Sequence, residues 1–288
     1  MYPDTKLHDL LCMIGSGLSV VGVVFTMVLY GHYRHLHSTN NLLFICGVLG
    51  FDLIACISYF SCIFFFDDPA VRFGQWHCDA CGFMEQIYSF GEPCCMLLFW
   101  ALIFCVVNGI EWFKIQNSST VVLVVVVVAA IGVLSSSLAL TLDAYVQDEQ
   151  SWCWVGEKFL WFRILFCYLW TVLAFVVMTI ALIRPLCSDL LNETQRRVLL
   201  RRGTLVLVWF AINAVNLLTR FVGGGPLLTL QAALNPLTGC ANVISFLYSE
   251  RMMTLKALGG PPGADPNYGF TTAMKYIPQK LREDQPLI

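Results

Sequence analysis

Long apolar runs alternate with short polar connections along nearly the whole chain. Seven runs reach the length of about 20 residues that a helix needs to cross a bilayer. They are Leu10–Tyr33, Asn41–Phe66, Gly82–Val107, Thr120–Leu142, Phe159–Arg184, Gly203–Val222 and Leu227–Tyr248. The pattern predicts an all-α membrane protein, a seven-transmembrane helix bundle over residues 1–250. The first run is too long for the apolar core of a cleavable leader, and no small-residue cleavage site follows it, so it reads as an uncleaved anchor. After the last run, "SERMMTLKALGG" suits a short interfacial helix, which "GGPPGADPNYG" ends. The tail, residues 251–288, is Pro/Gly-rich and is expected to be cytoplasmic and, beyond that helix, disordered.

Composition supports the bilayer. The chain is 58% hydrophobic and 12% charged, about half the charge of an ordinary soluble domain. A net charge of −2 and the lack of a long basic run argue against a nucleic-acid partner. The positions of the charges set the orientation. Arg34, Lys114, Arg184, Arg196, Arg197, Arg201, Arg202, Arg251, Lys256, Lys275, Lys280 and Arg282 follow runs one, three, five and seven. The other side holds Lys6, Arg72, Lys158 and Arg163, with Arg220 near the outer end of run six. The excess of basic residues marks the cytoplasmic side, which puts the N-terminus outside and the tail inside. The expected location is the plasma membrane, crossed several times. The sequons at Asn117 and Asn192 then face the cytoplasm and are expected to stay unglycosylated.

Most of the 13 cysteines lie within apolar runs, where a thiol is a small buried hydrophobe. The stretch "QDEQSWCWVGEKF" is different: it places Cys153 in a polar connection on the oxidising side. The other outer cysteines, Cys78 and Cys81, lie in "WHCDACGF" just before run three. A bridge from either one to Cys153 would staple the second outer loop over helix three. Trp152 and Trp154 beside it suit an interfacial aromatic belt. Cys78 and Cys81 also read as C-x-x-C, but no second pair or thioredoxin-like context accompanies them. Cys187, just past run five, is a candidate for palmitoylation, with a free thiol as the simpler reading.

Polar residues within the runs keep helical spacing. Gln231, Asn235, Thr238, Asn242 and Ser245 share one face, as do Asn213, Asn216 and Arg220. Glu85, Ser89 and Glu92 line a third, where Pro93 removes a backbone donor. Ionisable residues at membrane depth are costly and face the bundle interior. Glu85, Arg163, Arg220 and Gln231 form the expected ligand set in the outer half. The two arginines are near enough to helix ends that plain snorkelling also accounts for them. Asp52, Glu92 and Asn242 lie deeper and read as a switch network. On the inner side, "RPLCSDLLNETQRRVLLRR" runs into run six without a breaker, so that helix should extend inward. Arg196, Arg197, Arg201 and Arg202, with Lys114, are the expected contacts to a cytoplasmic partner, although orientation alone explains the same charges.

No catalytic, cofactor or metal site is expected. None of His8, His32, His35, His37 and His77 reaches membrane depth to build a zinc site. No G-x-S-x-G nucleophile occurs, and run seven has no lysine for a retinal Schiff base. No internal repeat points to a paired-repeat transporter.

Several stretches resemble one family in order along the chain. "CDACGF" looks like a C-x-x-Q-G-F at the top of helix three, "FGEPCCMLLFW" like the middle of that helix with Trp100 in its tryptophan position, and "WCWV" like a second-loop Cys-Trp shared with secretin-type receptors. "LFCYLW" resembles a helix-five stretch around Trp170. "NPLTGCANVISFLY" is similar to a P-L-Q-G-x-x-N-x-x-x-x-x-Y ending of helix seven, matching Pro236, Gly239, Asn242 and Tyr248, and is expected mid-helix. The set resembles the cyclic-AMP-receptor-like (class E) G-protein-coupled receptors. The resemblance implies that Cys78 is the bridging cysteine. It also implies that an extracellular ligand, small and polar or nucleotide-like, is signalled to a heterotrimeric G protein. Position 81 is Cys where the class often has Gln, Thr238 replaces another Gln, and "FCVVNGIEWFK" lacks an arginine at the inner end of helix three. The alternative is a seven-helix transporter or an uncoupled receptor-like protein.

Overall fold

The computed structural model describes residues 5–32, 40–66, 75–108, 118–147, 153–187, 193–222 and 225–249. Helices form nearly all of them. They are α1 (Thr5–His32), α2 (Asn40–Phe66), α3 (Gln75–Val107), α4 (Ser118–Thr141), α5 (Leu160–Arg163), α6 (Leu169–Leu186), α7 (Glu193–Val222), α8 (Gly225–Leu234) and α9 (Thr238–Ser249). A π-helical turn, Ile164–Tyr168, joins α5 to α6. Two short strands, β1 (Tyr145–Gln147) and β2 (Cys153–Val155), pair antiparallel between α4 and α5. Six helical segments among the described residues are long and apolar enough to cross a membrane. The chain is a multi-pass helical membrane protein.

The helices close into a ring around α3. α1 packs on α2, α2 on α3 and α4, α3 on α6, α6 on α7, α7 on α8 and α9, and these return to α1. The ring buries Phe44, Met96, Phe99, Trp100, Met178, Trp209 and Phe246. Aromatic contacts tie its members: Phe90 meets Trp170 edge-on at 5.6 Å, and Tyr30 meets Phe246 at 5.3 Å. α4 instead turns Val122, Leu123, Val126, Val127 and Leu134 outward, an apolar face suited to lipid tails because its backbone bonds are satisfied within the helix.

The seventh expected run departs from its expectation. It forms two helices, α8 and α9, broken at Asn235–Leu237, so "NPLTG" is a junction and not mid-helix. Pro236 has no N–H to donate back to Ala232, and the Ala232 carbonyl instead accepts from the Cys12 thiol at 3.3 Å. The Ser19 hydroxyl donates to the Pro236 carbonyl at 2.6 Å and accepts from the Cys240 N–H at 2.9 Å. One side chain of α1 thus replaces a missing rung of the helix ladder. The close approach requires Gly239, where a Cβ would sit 3.1 Å from that of Ser19. α7 begins at Glu193, ten residues before the start of its apolar run, as the unbroken polar lead-in suggested. Residues 251–288, the expected tail, lie outside the described residues.

Candidate functional site

The site is built downward from the hairpin. α4 ends at Thr141, and in the turn that follows, Asp143, with a φ of 47°, sends the chain back, a conformation that Asp tolerates better than most residues. The strands follow in the register Tyr145↔Val155, Val146↔Trp154 and Gln147↔Cys153. Tyr145 is buried, donates its hydroxyl to the Ser136 carbonyl at 3.1 Å, and lies against Gly82. A Cβ at Gly82 would come within 2.5 Å of the Tyr145 ring, so only glycine lets the hairpin settle on α3. Burial pushes the Tyr145 phenol above its usual range. A disulfide joins Cys78, in the first turn of α3, to Cys153 in β2, with Cα atoms 5.0 Å apart. Cys81 lies one turn further along α3, its sulfur 3.5 Å from His77 Nε2.

Trp154 does not join an interfacial belt. It is buried, pointing inward edge-on to Tyr168 at 6.0 Å. Its partner Val146 is exposed and its neighbours Cys153 and Val155 are buried as well, so alternation alone does not place it; the Tyr168 ring and the Arg163 guanidinium pack against the indole and cover it. Trp152 lies outside the described residues. Arg163 holds the same corner: its Nε donates to the Val155 carbonyl at 2.5 Å, and its guanidinium lies 4.9 Å from the Trp154 ring centre.

Beneath Trp154 is a cavity of about 60 Å³. α3 supplies Glu85, Tyr88, Ser89, Glu92 and Pro93, α7 supplies Asn213, Asn216 and Leu217, and Gln231 and Asn235 close the far wall. The π turn adds Cys167 and Tyr168, and α6 adds Thr171. An extra residue in the turn rotates the positions after it, and Cys167 reaches α3, donating to Gln86 Oε1 at 3.4 Å. Glu85 accepts from the Tyr59 hydroxyl at 3.0 Å. Gln231 and Asn235 are both more than nine-tenths buried, and their side-chain oxygens have no hydrogen-bond partner among the described residues.

The expected ligand set is only partly assembled. Glu85 and Gln231 share the cavity, but Arg163 is absent from its lining and is spent on the hairpin. Arg163 closes the short α5, next to the hairpin, and its bond to the Val155 carbonyl and its contact with the Trp154 ring hold it there. Arg220 is on α7, and its side chain lies outside the described residues. Glu92, expected only in the deeper network, also lines the cavity floor.

That network is present as hydrogen bonds. The Asn242 side-chain nitrogen donates to Asp52 Oδ2 at 2.9 Å and to Glu92 Oε1 at 3.2 Å. Trp209 Nε1 donates to the same Glu92 oxygen at 2.8 Å. Asp52, Glu92, Asn242 and Trp209 are all buried, and together they join α2, α3, α9 and α7. Trp209 was not among the predicted residues. Nothing in the apolar pattern of its run separates it from a core residue.

At the opposite end the predicted basic residues divide. Arg196 is exposed and donates to the Leu186 carbonyl at 3.1 Å, over the end of α6. Arg201 is half-buried. Arg202 is buried, its guanidinium 5.7 Å from the Phe99 ring centre, so it faces the bundle and not a cytoplasmic partner. It follows Arg201 directly, and one helical step of 100° turns neighbouring residues onto different faces. The Arg197 side chain, Lys114, and both sequon asparagines, Asn117 and Asn192, lie outside what is described. Cys187 is exposed just beyond α6.

Neither protein-family models nor curated proteins yield a match to this chain.

Proposed function

We propose that this protein is a cell-surface receptor of the cyclic-AMP-receptor-like kind, a seven-span bundle with its hairpin outside, that passes an extracellular signal to a heterotrimeric G protein. One observation carries the reading. Glu92 is both the floor of a capped polar cavity and the hub of a buried hydrogen-bond network that reaches Trp209 on α7. α7 in turn carries the basic residues Arg196 and Arg201 at its far end. A ligand that changes the contacts of Glu92 therefore biases the position of α7 directly. It shifts the balance of two states only by its differential affinity for them. The broken α8–α9 pair serves as the seventh span, its junction held by Ser19 and Cys12 of α1.

The stapled hairpin supports a receptor over a transporter. A disulfide to α3 and a Tyr145–Gly82 contact fix the cap on the cavity, whereas alternating access needs that side to open. The test is nucleotide exchange on co-expressed G proteins, with the full-length protein in cell membranes and a panel of small extracellular ligands. Ligand-dependent exchange supports the reading. Accumulation of a labelled solute without exchange supports the transporter instead.

A further inference from the structure

We propose that the cavity under the hairpin takes a small neutral polyol, held by carboxamide side chains. The inference rests on reading this cavity as the receptor's ligand site. Asn216 on α7, Gln231 on α8 and Asn235 just after it line the cavity together. The side-chain oxygen of each is buried and has no hydrogen-bond partner among the described residues. Gln231 and Asn235 as whole residues are only 4% and 7% exposed. A buried polar atom without a partner destabilises the fold, so three of them around one cavity call for an occupant that supplies partners.

The carboxyl groups of the lining are in a different position. Glu92 Oε1 accepts from Trp209 and from Asn242, and Glu85 Oε1 accepts from the Tyr59 hydroxyl. The protein's own donors engage both, and the amides are what the fold leaves open. A carboxamide carries donors on its nitrogen and an acceptor on its oxygen, and rotation about its last side-chain bond exchanges the two ends. An ammonium offers only donors, and an ionised carboxylate only acceptors, so neither matches both ends of an amide. A hydroxyl offers one donor and two acceptor positions and matches either end. The amides also approach from different directions. Gln231 and Asn235 are four residues apart, about 6 Å of helical rise, and Asn216 comes from another helix. One hydroxyl cannot reach all three, whereas hydroxyls spread along a short carbon skeleton can. Trp154 and Tyr168 supply ring surface in the same lining for the C–H groups of that skeleton.

The experiment uses the full-length protein in lipid nanodiscs. Three probes with the same carbon chain are titrated. Erythritol has a hydroxyl on every carbon, 1,4-butanediol lacks the two inner hydroxyls, and erythronate ends in a carboxylate. Heat of binding and ligand-observed saturation-transfer NMR are read for each, because polyols raise unfolding midpoints without binding. Erythritol is expected to bind saturably, and the other two at least ten-fold more weakly. Gln231→Leu and Asn235→Leu, which roughly keep volume and remove the amide, should each weaken erythritol about ten-fold. Asn216→Leu, on another helix, provides the comparison if neither of those folds. Absent or non-saturable erythritol binding, butanediol or erythronate bound as tightly, or erythritol binding unaffected by every variant that folds overturns the proposal. Nucleotide exchange is measured in parallel. Saturable, amide-dependent erythritol binding without exchange on any co-expressed G protein supports the polyol site and removes the receptor reading. Exchange driven by another ligand, with no erythritol binding, keeps the receptor and sinks the polyol site.

Discussion

Trp209 donates its indole N–H to Glu92 Oε1 at 2.8 Å, and this bond links α7 to the floor of the cavity. Both side chains are buried. Trp209→Phe keeps the ring and removes the donor, leaving a buried oxygen with one partner fewer. The expected cost is about 1–3 kcal/mol of stability, together with a changed basal level of nucleotide exchange. Glu92→Gln, which keeps shape and removes charge, should also change basal exchange. Wild-type basal and stimulated exchange in both variants would make the bond a packing feature only.

The α8–α9 junction gives a prediction that needs no ligand. Ser19 both donates to the Pro236 carbonyl and accepts from the Cys240 N–H. Ser19→Ala takes the acceptor from the part-buried Cys240 N–H and leaves the Pro236 carbonyl with only the weak Cys56 thiol contact at 3.8 Å, a cost of about 1–3 kcal/mol for a lost partner. Thermal unfolding in nanodiscs should show a clear drop in midpoint. Ser16, also buried on α1, shows no hydrogen-bond partner among the described residues, so Ser16→Ala should shift the midpoint far less. Equal shifts would remove Ser19 from the junction.

Six of the seven apolar runs were legible as helices long enough to cross a bilayer, because burial in lipid demands long apolar runs and hydropathy records that demand directly. The helical faces of Glu85, Ser89 and Glu92 and of Gln231, Asn235 and Asn242 were legible from spacing. What was not legible depended on local geometry that spacing does not encode. Pro236 can kink a helix or divide it, and Ser19, distant in sequence, decides which. Arg163 was expected in the ligand set, but the hairpin, which no helical pattern records, supplies the Val155 carbonyl and the Trp154 ring that take up its guanidinium. Trp154 looked interfacial because tryptophan in a loop at the end of a span usually is; the Tyr168 ring and the Arg163 guanidinium packed against it cover it instead.

The hairpin staple is tested through Cys153→Ser. A crosslink that closes a loop of this length is worth about 2–5 kcal/mol in a small domain, and here the strand it holds also roofs the cavity. The variant should lose surface expression or ligand response. Gly82→Val should act in the same direction by pushing the Tyr145 ring off α3. Cystine-resolved peptide mapping should recover Cys78 linked to Cys153. A peptide linking Cys81 instead would move the staple by one turn.

Orientation is tested with epitope tags at both ends, probed before and after permeabilisation. The charge distribution predicts an accessible N-terminus and a protected C-terminus. Occupied glycans at Asn117 or Asn192 would invert the assignment and, with it, the side from which the cavity is reached.

The last prediction separates partner contact from packing among the arginines of α7. Arg202 is buried against Phe99, so Arg202→Gln should lower the unfolding midpoint, because the guanidinium contributes contact area as well as charge. Arg201 is half-buried and Arg197 precedes it by one turn, on the same helical face. Replacing both with Gln retains helix propensity and leaves Arg184, Arg196 and Arg202 to hold the orientation. The double variant should reach the surface, bind ligand with unchanged affinity, and fail to drive nucleotide exchange, since arginine forks make paired bonds to carboxylates that glutamine cannot replace. Arg196 already donates to the end of α6, so Arg196→Gln tests something else: it should loosen the α6–α7 connection and raise basal exchange. If the double variant exchanges nucleotide at the wild-type rate, the contact lies elsewhere, with Lys114 the next residue to replace.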